Sequence, residues 1–156
     1  MSADERLKIT EIFFSVQGEA LFSGWPTVFV RLTGCPLRCQ YCDTAYAFTG
    51  GEWRSIPDVL AEVRKYSTPY VCVTGGEPLA QPRCATLLTT LCNAGYKVSL
   101  ETSGAIDISP VDGRVSRIVD IKTPGSKESH RNLLANLDLL ADNDALKLVI
   151  CDRADY

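Results

Sequence analysis

The sequence has little histidine and no long apolar run. One histidine, His130, occurs among 156 residues, and no second histidine stands beside it to form the ligand pair of a common zinc site. No stretch approaches the roughly 18 to 20 apolar residues that a membrane-spanning helix requires. Residues 1–8 are polar, whereas a secretory signal peptide has an apolar core. These absences predict a cytoplasmic protein without a membrane partner.

An excess of basic residues is also absent. Lys and Arg number 16 against 19 Asp and Glu, which gives a formal net charge of -3. A protein that binds nucleic acid independently of sequence carries a basic surface that displaces counterions from phosphates. No internal repeat and no low-complexity tract is found, so neither a solenoid nor a disordered arm is indicated. We expect one domain over residues 1–156, with small-molecule partners and no nucleic acid.

Cysteine, by contrast, is abundant, with seven residues. In a chain without an export signal, an odd number of cysteines favours free thiols in a reducing compartment over a disulfide framework. Four of them stand singly in apolar stretches and are interpreted as core packing: Cys72, Cys84, Cys92 and Cys151. The other three, Cys35, Cys39 and Cys42, fall within eight residues. This triplet is the candidate functional site.

The apolar pattern alternates between strand and helix periods along the chain. Strands are predicted at residues 9–16, 27–32, 70–74, 97–100, 117–121 and 145–150, and helices at residues 56–63, 84–92 and 133–140. Ser55, with Asp58 three positions on, is the predicted N-cap of the first helix, and residues 33–54 are predicted as a long loop. The alternation predicts an α/β fold, a partial (β/α) barrel of mostly parallel strands. Its ligands should gather at the carboxyl ends of the strands.

Three thiolates in one loop suit a polynuclear iron–sulfur centre. A structural zinc site takes four protein ligands, and three cysteines alone are one too few. A cubane held by three cysteines leaves one iron open for a small ligand. A zinc site completed by a distant fourth ligand such as Cys72 remains the alternative interpretation of the triplet.

The C-x3-C-x2-C spacing after a strand, with Tyr41 just before the last cysteine, resembles the signature of the radical S-adenosyl-L-methionine superfamily. Residues 74–78, TGGEP, resemble the motif of that superfamily that contacts the amino group of the cofactor, and the Glu77 carboxylate would complement an ammonium. The resemblance implies a 4Fe-4S cluster whose open iron chelates S-adenosyl-L-methionine. One electron then cleaves the sulfonium to a 5′-deoxyadenosyl radical.

Motifs along nearly the whole chain resemble the 7-carboxy-7-deazaguanine synthase family of that superfamily. They are residues 14–19 (FSVQGE), 28–35 (VFVRLTGC), 42–44 (CDT), 101–104 (ETSG) and 120–126 (DIKTPGS). The resemblance implies conversion of 6-carboxy-5,6,7,8-tetrahydropterin to 7-carboxy-7-deazaguanine, on the route to queuosine. The radical would remove hydrogen from C6, the ring would contract, and ammonia would leave. Mg²⁺ would assist by binding the substrate's oxygens.

The resemblance also implies roles for individual residues. The cluster would be held by Cys35, Cys39 and Cys42, S-adenosyl-L-methionine by Tyr41, Asp43, Gly76, Asp120, Ile121 and Lys122, the substrate by Val16, Gln17, Gly18, Arg31 and Thr74, and Mg²⁺ by Thr44. The residues alone leave other interpretations open, since Arg31 could form an internal salt bridge, Lys122 could be solvated, and Thr44 could cap a turn. No residue is singled out as a general acid or base.

Family members are usually longer, and the chain stops just after the strand predicted at residues 145–150. We therefore expect a core truncated at the C-terminus, with an uncovered edge strand that favours a homodimer. The expected electron donor is a protein such as flavodoxin or ferredoxin. Two other functions remain open. One is an activating enzyme that generates a glycyl radical on a partner protein, and the other is a non-catalytic metal-binding module.

Overall fold

The computed structural model describes residues 6–156, so the first five residues of the polar N-terminal stretch lie outside the described part. The described chain forms seven strands and two α-helices. In chain order they are β1 (Arg6–Val16), β2 (Pro26–Leu32), β3 (Glu52–Ser55), α1 (Ile56–Val63), β4 (Tyr70–Gly75), α2 (Cys84–Asn93), β5 (Lys97–Thr102), β6 (Ser116–Asp120) and β7 (Ala145–Lys147). No helix in residues 6–156 has both the length and the apolar character to cross a bilayer.

The seven strands form one sheet in the order β3-β1-β2-β4-β5-β6-β7. Strand β1 runs antiparallel to both β2 and β3, and every other neighbouring pair is parallel. This confirms the predicted α/β fold of mostly parallel strands. Because parallel strands all point the same way, the loops after β2, β4, β5 and β6 begin at one edge of the sheet.

The two α-helices pack on one face of the sheet and bury a continuous apolar core. Leu32 of β2 and Leu87 and Leu91 of α2 are completely buried in it. Each fully buried leucine stabilises the fold by about 1.5–3 kcal/mol relative to an exposed one. The start of α1 confirms the predicted N-cap, since the Ser55 hydroxyl accepts from Asp58 N and the Asp58 carboxylate accepts from Ser55 N.

The structure corrects three predicted elements. Strand β3 lies within the predicted loop and pairs with the start of β1. The helix predicted at residues 133–140 is a run of 3-10 turns, Leu134–Leu139, in which Leu134 is exposed and the buried Asn136 amide bonds the Gly104 and Ile106 carbonyls. Strand β7 ends at Lys147 and is shorter than predicted.

The four isolated cysteines were all predicted to pack in the core. Cys72 and Cys84 are completely buried, as predicted. Cys92 is half-buried against the core, but Cys151 is exposed, so the core prediction is wrong for Cys151. The apolar residues around Cys151 in the sequence do not become buried, because β7 ends before them.

Candidate active site

A cavity of about 620 Å³ opens at the carboxyl ends of the parallel strands. It brings together nearly all of the predicted site residues: Val16, Gln17, Gly18, Arg31, Cys35, Cys39, Tyr41, Cys42, Asp43, Thr44, Thr74, Gly76, Asp120 and Lys122. Ile121 is the exception. Its side chain packs against the core while its neighbours Asp120 and Lys122 point into the cavity. A cavity of this size is typical of sites for small molecules and cofactors.

The cysteine loop is held in place by contacts within the protein. The Arg38 guanidinium donates to the carbonyl oxygens of Cys35 and Leu37, at 2.7 and 2.6 Å, and lies 4.2 Å from the centre of the Phe48 ring. Leu37 is buried, which fixes the middle of the loop. Gln40 N donates to the Ser126 carbonyl at 3.0 Å. The positions of the three thiols are therefore set by the surrounding chain.

The three thiols line the cavity as free cysteines. Burial raises the pKa of Cys35 and of Cys39. The Leu37 backbone opposes this at Cys35 and Lys122 opposes it at Cys39, but acidic groups and the other thiols add to the rise, so the pKa of each thiol stays raised. Within residues 6–156, however, no three His, Cys, Asp or Glu side chains converge on a single ion. Zinc requires that convergence, at Zn–S distances of about 2.3 Å. A four-iron cubane holds its cysteine sulfurs farther apart than a single zinc ion does, and three free thiols on one loop are the ligands that such a cluster takes.

Neither distant candidate for a fourth zinc ligand reaches the triplet. Cys72 is completely buried in β4 and does not line the cavity. His130 lies outside the cavity with 72% of its side chain exposed, 4.0 Å from Glu128. Neither Cys72 nor His130 therefore supplies the fourth ligand of a zinc site at the triplet.

The glycine turn after β4 packs directly against the cysteine loop. A Cβ on Gly76 would collide with the Gly34 carbonyl and the Cys35 Cβ, and one on Gly75 would collide with the Leu32 backbone. Glu77 N donates to the Gly34 carbonyl at 2.9 Å. The two glycines thus allow two loops to touch, in addition to giving a ligand access to the backbone.

The structure corrects the expected role of Glu77. Its carboxylate, expected to face an ammonium, is completely buried and does not line the cavity. It accepts from Leu79 N at 2.9 Å, from Ser103 N at 2.7 Å, and from the hydroxyls of Thr102 and Ser103. A buried carboxylate requires such donors to offset its desolvation. Glu77 therefore joins the turn after β4 to the loop after β5.

Tyr41, Asp120 and Lys122 form the part of the cavity that best fits a polar cofactor. Lys122 Nζ lies 2.8 Å from Asp120 Oδ2 and 5.9 Å from the centre of the Tyr41 ring, and its side chain is only 10% exposed. Burial lowers the pKa of Lys122, but the bond to Asp120 outweighs it and the pKa is raised. Lys122 is thus a charged, paired group, and the solvated interpretation is wrong.

Two atoms in this part of the cavity are buried without a hydrogen bond. Among the described residues, the Tyr41 hydroxyl and Asp120 Oδ1 have no partner. An unpaired buried polar atom costs about 1–3 kcal/mol, so such atoms mark places where a bound group completes the bonding. An acceptor at the phenol and a donor at the carboxylate are both available on an amino acid nucleotide such as S-adenosyl-L-methionine.

Arg31 forms the internal salt bridge that the sequence left open and also lines the cavity. Its Nε lies 2.8 Å from Glu11 Oε1, which also accepts from the Tyr46 hydroxyl at 2.8 Å. The guanidinium lies 5.6 Å from the centre of the Phe13 ring. Burial raises the pKa of Glu11, but the bonds from Tyr46 and Arg31 outweigh it and lower the pKa. Arg31 can therefore form the internal salt bridge with Glu11 and still contact a substrate in the cavity.

Glu101, at the carboxyl end of β5, is the main site residue to which the sequence assigned no role. Its carboxylate accepts from the Thr74 hydroxyl at 2.8 Å and from Gln17 Nε2 at 3.3 Å. Among residues 6–156 no ion pair is formed by Glu101, and it lines the cavity. Its position after a strand, at the same edge as the other loops, was the signal that could have identified it.

Thr44 lies beside the cysteine triplet. Its hydroxyl is 3.8 Å from Cys42 Sγ. Thr44 precedes the 3-10 turn Ala45–Phe48, but its side chain makes no capping hydrogen bond. The turn-cap interpretation of this hydroxyl is therefore wrong, and Thr44 lines the cavity.

An ion pair across the cavity was also missed. Lys147 Nζ on β7 lies 2.7 Å from the Glu19 carboxylate, in the loop between β1 and β2. The two residues are far apart in sequence, and the β1–β2 loop and β7 belong to different places in the sheet, so no local pattern predicts their contact. This pair connects the two sides of the partial barrel at its open side.

A three-cysteine loop, a glycine turn and a cofactor-sized cavity at the strand ends define a class of enzymes. Residues 29–122, which carry these features, match the Radical SAM superfamily, and the chain is a member of it. Curated relatives identify the family within this superfamily. The chain is 43% identical to the 7-carboxy-7-deazaguanine synthase of Chlorobaculum tepidum, over 100% of this chain and 72% of that protein. It belongs to the 7-carboxy-7-deazaguanine synthase family.

Two further comparisons support membership of the same family. The 7-carboxy-7-deazaguanine synthase of Koribacter versatilis is 46% identical over 96% of this chain and 67% of its own length. The crystal structure of QueE from Escherichia coli superimposes with a TM-score of 0.71 at 25% identity, covering 92% of this chain and 84% of that one. These relatives favour the synthase interpretation over a glycyl-radical activating enzyme or a non-catalytic metal-binding module.

Proposed function

We propose that the chain converts 6-carboxy-5,6,7,8-tetrahydropterin to 7-carboxy-7-deazaguanine with loss of ammonia. The observation that carries the proposal is the single cavity that contains the cysteine triplet together with all but one of the other predicted site residues. The names of the relatives supply the product, 7-carboxy-7-deazaguanine, and the family resemblance of the sequence motifs supplies the pterin substrate. The proposal assigns each part of the cavity to one of four ligands: cluster, cofactor, substrate and metal ion.

Cys35, Cys39 and Cys42 would hold the 4Fe-4S cluster, and Tyr41, Asp43, Gly76, Asp120 and Lys122 would hold S-adenosyl-L-methionine, with Ile121 contributing only backbone. When bound, the cluster supplies an electron and the cofactor supplies the radical that removes hydrogen from the substrate. The Tyr41 hydroxyl and Asp120 Oδ1, which are buried without a hydrogen-bond partner among the described residues, would bond the cofactor and orient it. Lys122 keeps its charge and holds the Asp120 carboxylate in place.

The substrate would lie against Val16, Gln17, Gly18, Arg31 and Thr74. Glu101 extends this group, because Thr74 and Gln17 fix its carboxylate with its charge unneutralised. The pyrimidine edge of a pterin carries two adjacent N–H donors, which match a carboxylate in a bidentate arrangement. Arg31 provides the positive charge that a carboxylated substrate requires. Together they orient the ring and exclude water from it.

Thr44 would be the protein ligand of Mg²⁺. Its hydroxyl is a hard oxygen donor that makes no capping bond. Magnesium takes few ligands from protein and keeps several waters or substrate oxygens. A single hydroxyl beside the substrate region is therefore enough as the protein's ligand to Mg²⁺.

We also propose a cytoplasmic homodimer that receives its electron from a protein such as flavodoxin or ferredoxin. Seven free cysteines suit a reducing compartment. Strand β7 is at the edge of the sheet and exposes half of Leu146, which is the kind of edge that a second copy covers.

The test is anaerobic reconstitution with iron and sulfide, followed by incubation with S-adenosyl-L-methionine, a reductant, Mg²⁺ and the carboxylated pterin. We expect four irons per chain, 5′-deoxyadenosine, and 7-carboxy-7-deazaguanine identified by mass spectrometry. Cys39→Ala should lose the cluster, whereas Cys92→Ala, a matched change outside the cavity, should keep it. A loaded protein that forms 5′-deoxyadenosine but no deazaguanine would contradict the proposed substrate.

A further inference from the structure

The loop between β1 and β2 reaches from the antiparallel side of the sheet to the last strand. Lys147 Nζ on β7 lies 2.8 and 2.7 Å from the two carboxylate oxygens of Glu19. Both residues line the cavity, and both side chains are partly buried. The 3-10 turn Ala20–Phe22 also contacts β7. Residues 17–25, which we call the strap, are therefore tied to the far side of the sheet.

The backbone of the strap is held in one conformation. At its ends, Gln17 N donates to the Trp25 carbonyl at 2.9 Å, and Gly24 N donates to the Gln17 carbonyl at 2.8 Å. Between these ends, Ala20 has a φ of 56°, in the left-handed region that residues other than glycine rarely adopt. Such a conformation persists only where the surrounding contacts impose it. The ion pair of Glu19, the preceding residue, is the side-chain contact next to it.

The strap determines which way the Gln17 side chain faces. This side chain is buried, and its Oε1 accepts from Glu19 N at 3.2 Å. An amide whose oxygen is held by an N–H group presents its NH₂ group on the other side, and Gln17 Nε2 donates to Glu101 Oε1 at 3.3 Å. A continuous series of contacts thus leads from β7 through the strap to the Glu101 carboxylate.

We propose that Glu19 and Lys147 are positioning residues for the substrate. Their ion pair holds the strap in the conformation in which Gln17 orients Glu101 toward the pterin ring. The inference rests on the proposed function, because Glu101 is assigned there to the substrate. Neither partner of the pair has to contact the substrate itself. When the pair is lost, the strap can leave β7, and Glu101 loses one of the two donors that fix it.

The experiment breaks the ion pair from each side and then exchanges its charges. Glu19→Met and Lys147→Met remove one partner each, and Glu19→Lys and Lys147→Glu are made singly and together. The control is Lys65→Met, which breaks the pair that Lys65 Nζ forms with Glu62 at 2.8 Å on the helical side of the sheet. KM and kcat for the pterin are measured on the cluster-loaded proteins. Amide hydrogen exchange of residues 17–25, measured by mass spectrometry on the same proteins, reports on the strap without turnover.

Glu19→Met and Lys147→Met should each raise KM by about fivefold with kcat within twofold, because the interaction lost is one of substrate binding. Both should speed amide exchange in residues 17–25 and leave exchange in β2 unchanged. The charge-exchanged double variant should have a lower KM than either single charge reversal. Lys65→Met should change neither KM nor exchange.

A raised KM in Lys147→Met but not in Glu19→Met would overturn the positioning role, because it would mean that the lysine binds the substrate directly. Unchanged exchange in both variants, or effects of the two charge reversals that simply multiply in the double variant, would overturn it as well. An unaltered protein that forms no deazaguanine contradicts the proposed function instead. The exchange rates then still decide whether the ion pair holds the strap.

Discussion

Glu101 shows how a single carboxylate can be prepared for a neutral, hydrogen-bonding ligand. Two neutral donors, Thr74 and Gln17, fix its orientation without neutralising its charge. A carboxylate held in this way accepts strongly from a ligand, because bonds to charged groups are worth more than bonds between neutral ones.

Glu101→Gln should therefore reduce kcat/KM for the pterin by about 10- to 150-fold, which corresponds to about 1.5–3 kcal/mol for a bond to a charged group. The change keeps the shape and removes the charge, so the cluster content should not change. The assay follows deazaguanine formation against pterin concentration. Glu52→Gln, an exposed change on β3, is the control. A kcat/KM within twofold of the unaltered enzyme would show that Glu101 does not contact the substrate.

Thr44 gives a prediction for the metal. Thr44→Ala should raise the Mg²⁺ concentration needed for half-maximal activity by about tenfold or more, since it removes the one protein oxygen assigned to the ion. Thr44→Ser keeps the hydroxyl and should restore most of the response. The measurement is activity over a Mg²⁺ titration in chelator-treated buffer. An unchanged titration in Thr44→Ala would argue that the ion is bound elsewhere.

The kinds of residue that form the site were easier to predict from the sequence than the hydrogen bonds that those residues make in the structure. The cysteine triplet could be read from its spacing, because three ligands within eight residues need no knowledge of the fold. Glu77 shows the limit of prediction from sequence motifs. Its motif indicated proximity to the cofactor, but its carboxylate bonds Ser103, which lies on another loop. Long-range contacts of this kind depend on the packing of loops and leave no local pattern in the sequence.

The glycine turn after β4 is the element on which the position of the cluster loop depends. Gly76→Ala should shift the cysteine loop, because the new Cβ would overlap the Gly34 carbonyl and the Cys35 Cβ. Overpacking of this kind costs about 1–3 kcal/mol. We expect a lower thermal midpoint of the apoprotein and fewer irons per chain after reconstitution.

Gly113→Ala is the matched control, since nothing lies within 4 Å of a Cβ at that position. Its thermal midpoint and iron content should equal those of the unaltered protein. If Gly76→Ala also retained both values, the contact between the turn and the loop would not control the cluster site.

Elements with a buried apolar face were predicted well, and those without one were not. The α1 helix was found from its cap and its apolar spacing, both of which the structure retains. The leucines at residues 133–140 have similar spacing, yet the chain forms 3-10 turns whose leucines remain partly exposed. Spacing indicates which side chains could share a face, and only packing decides whether that face is buried.

At the scale of the whole molecule, a buried ion pair ties the last strand to the sheet. Arg117 on β6 pairs with Asp144, whose side chain is 1% exposed, just before β7. Burial raises the pKa of Asp144, but the bonds from Arg117 and from Ala141 N outweigh it, so the pKa is lowered. The group therefore stabilises the fold above the pKa it has in the unfolded chain, about 3.9, and this contribution is lost as the pH falls through the folded value.

Asp144→Asn should lower the free energy of unfolding at neutral pH by about 3–5 kcal/mol, because it leaves the Arg117 charge unpaired. The difference from the unaltered protein should shrink as the pH falls below about 4, because Asp144 takes up a proton first in the unfolded chain and, at a lower pH, in the folded protein as well. The free energy of unfolding of both proteins is measured by denaturant titration across this pH range. Asp142→Asn, an exposed change two positions away, should show no such loss. An equal loss at every pH would contradict the assigned titration.

The edge of the sheet gives a prediction for assembly. Leu146→Lys places a charge on the outer face of β7 and should convert the proposed homodimer to a monomer, as measured by sedimentation velocity. Leu134→Lys, at a similarly exposed leucine outside the strands, should leave the mass unchanged. A monomeric unaltered protein, or a dimer in Leu146→Lys, would show that β7 is not the interface.

The bond between Glu77 N and the Gly34 carbonyl, together with the Glu77 carboxylate on Ser103, joins three loops using amino acids alone. One glutamate therefore serves the cysteine loop, the glycine turn and the loop after β5 at once. Loss of its side chain is expected to disturb all three segments together, so a single substitution far from the thiols in sequence can misplace them.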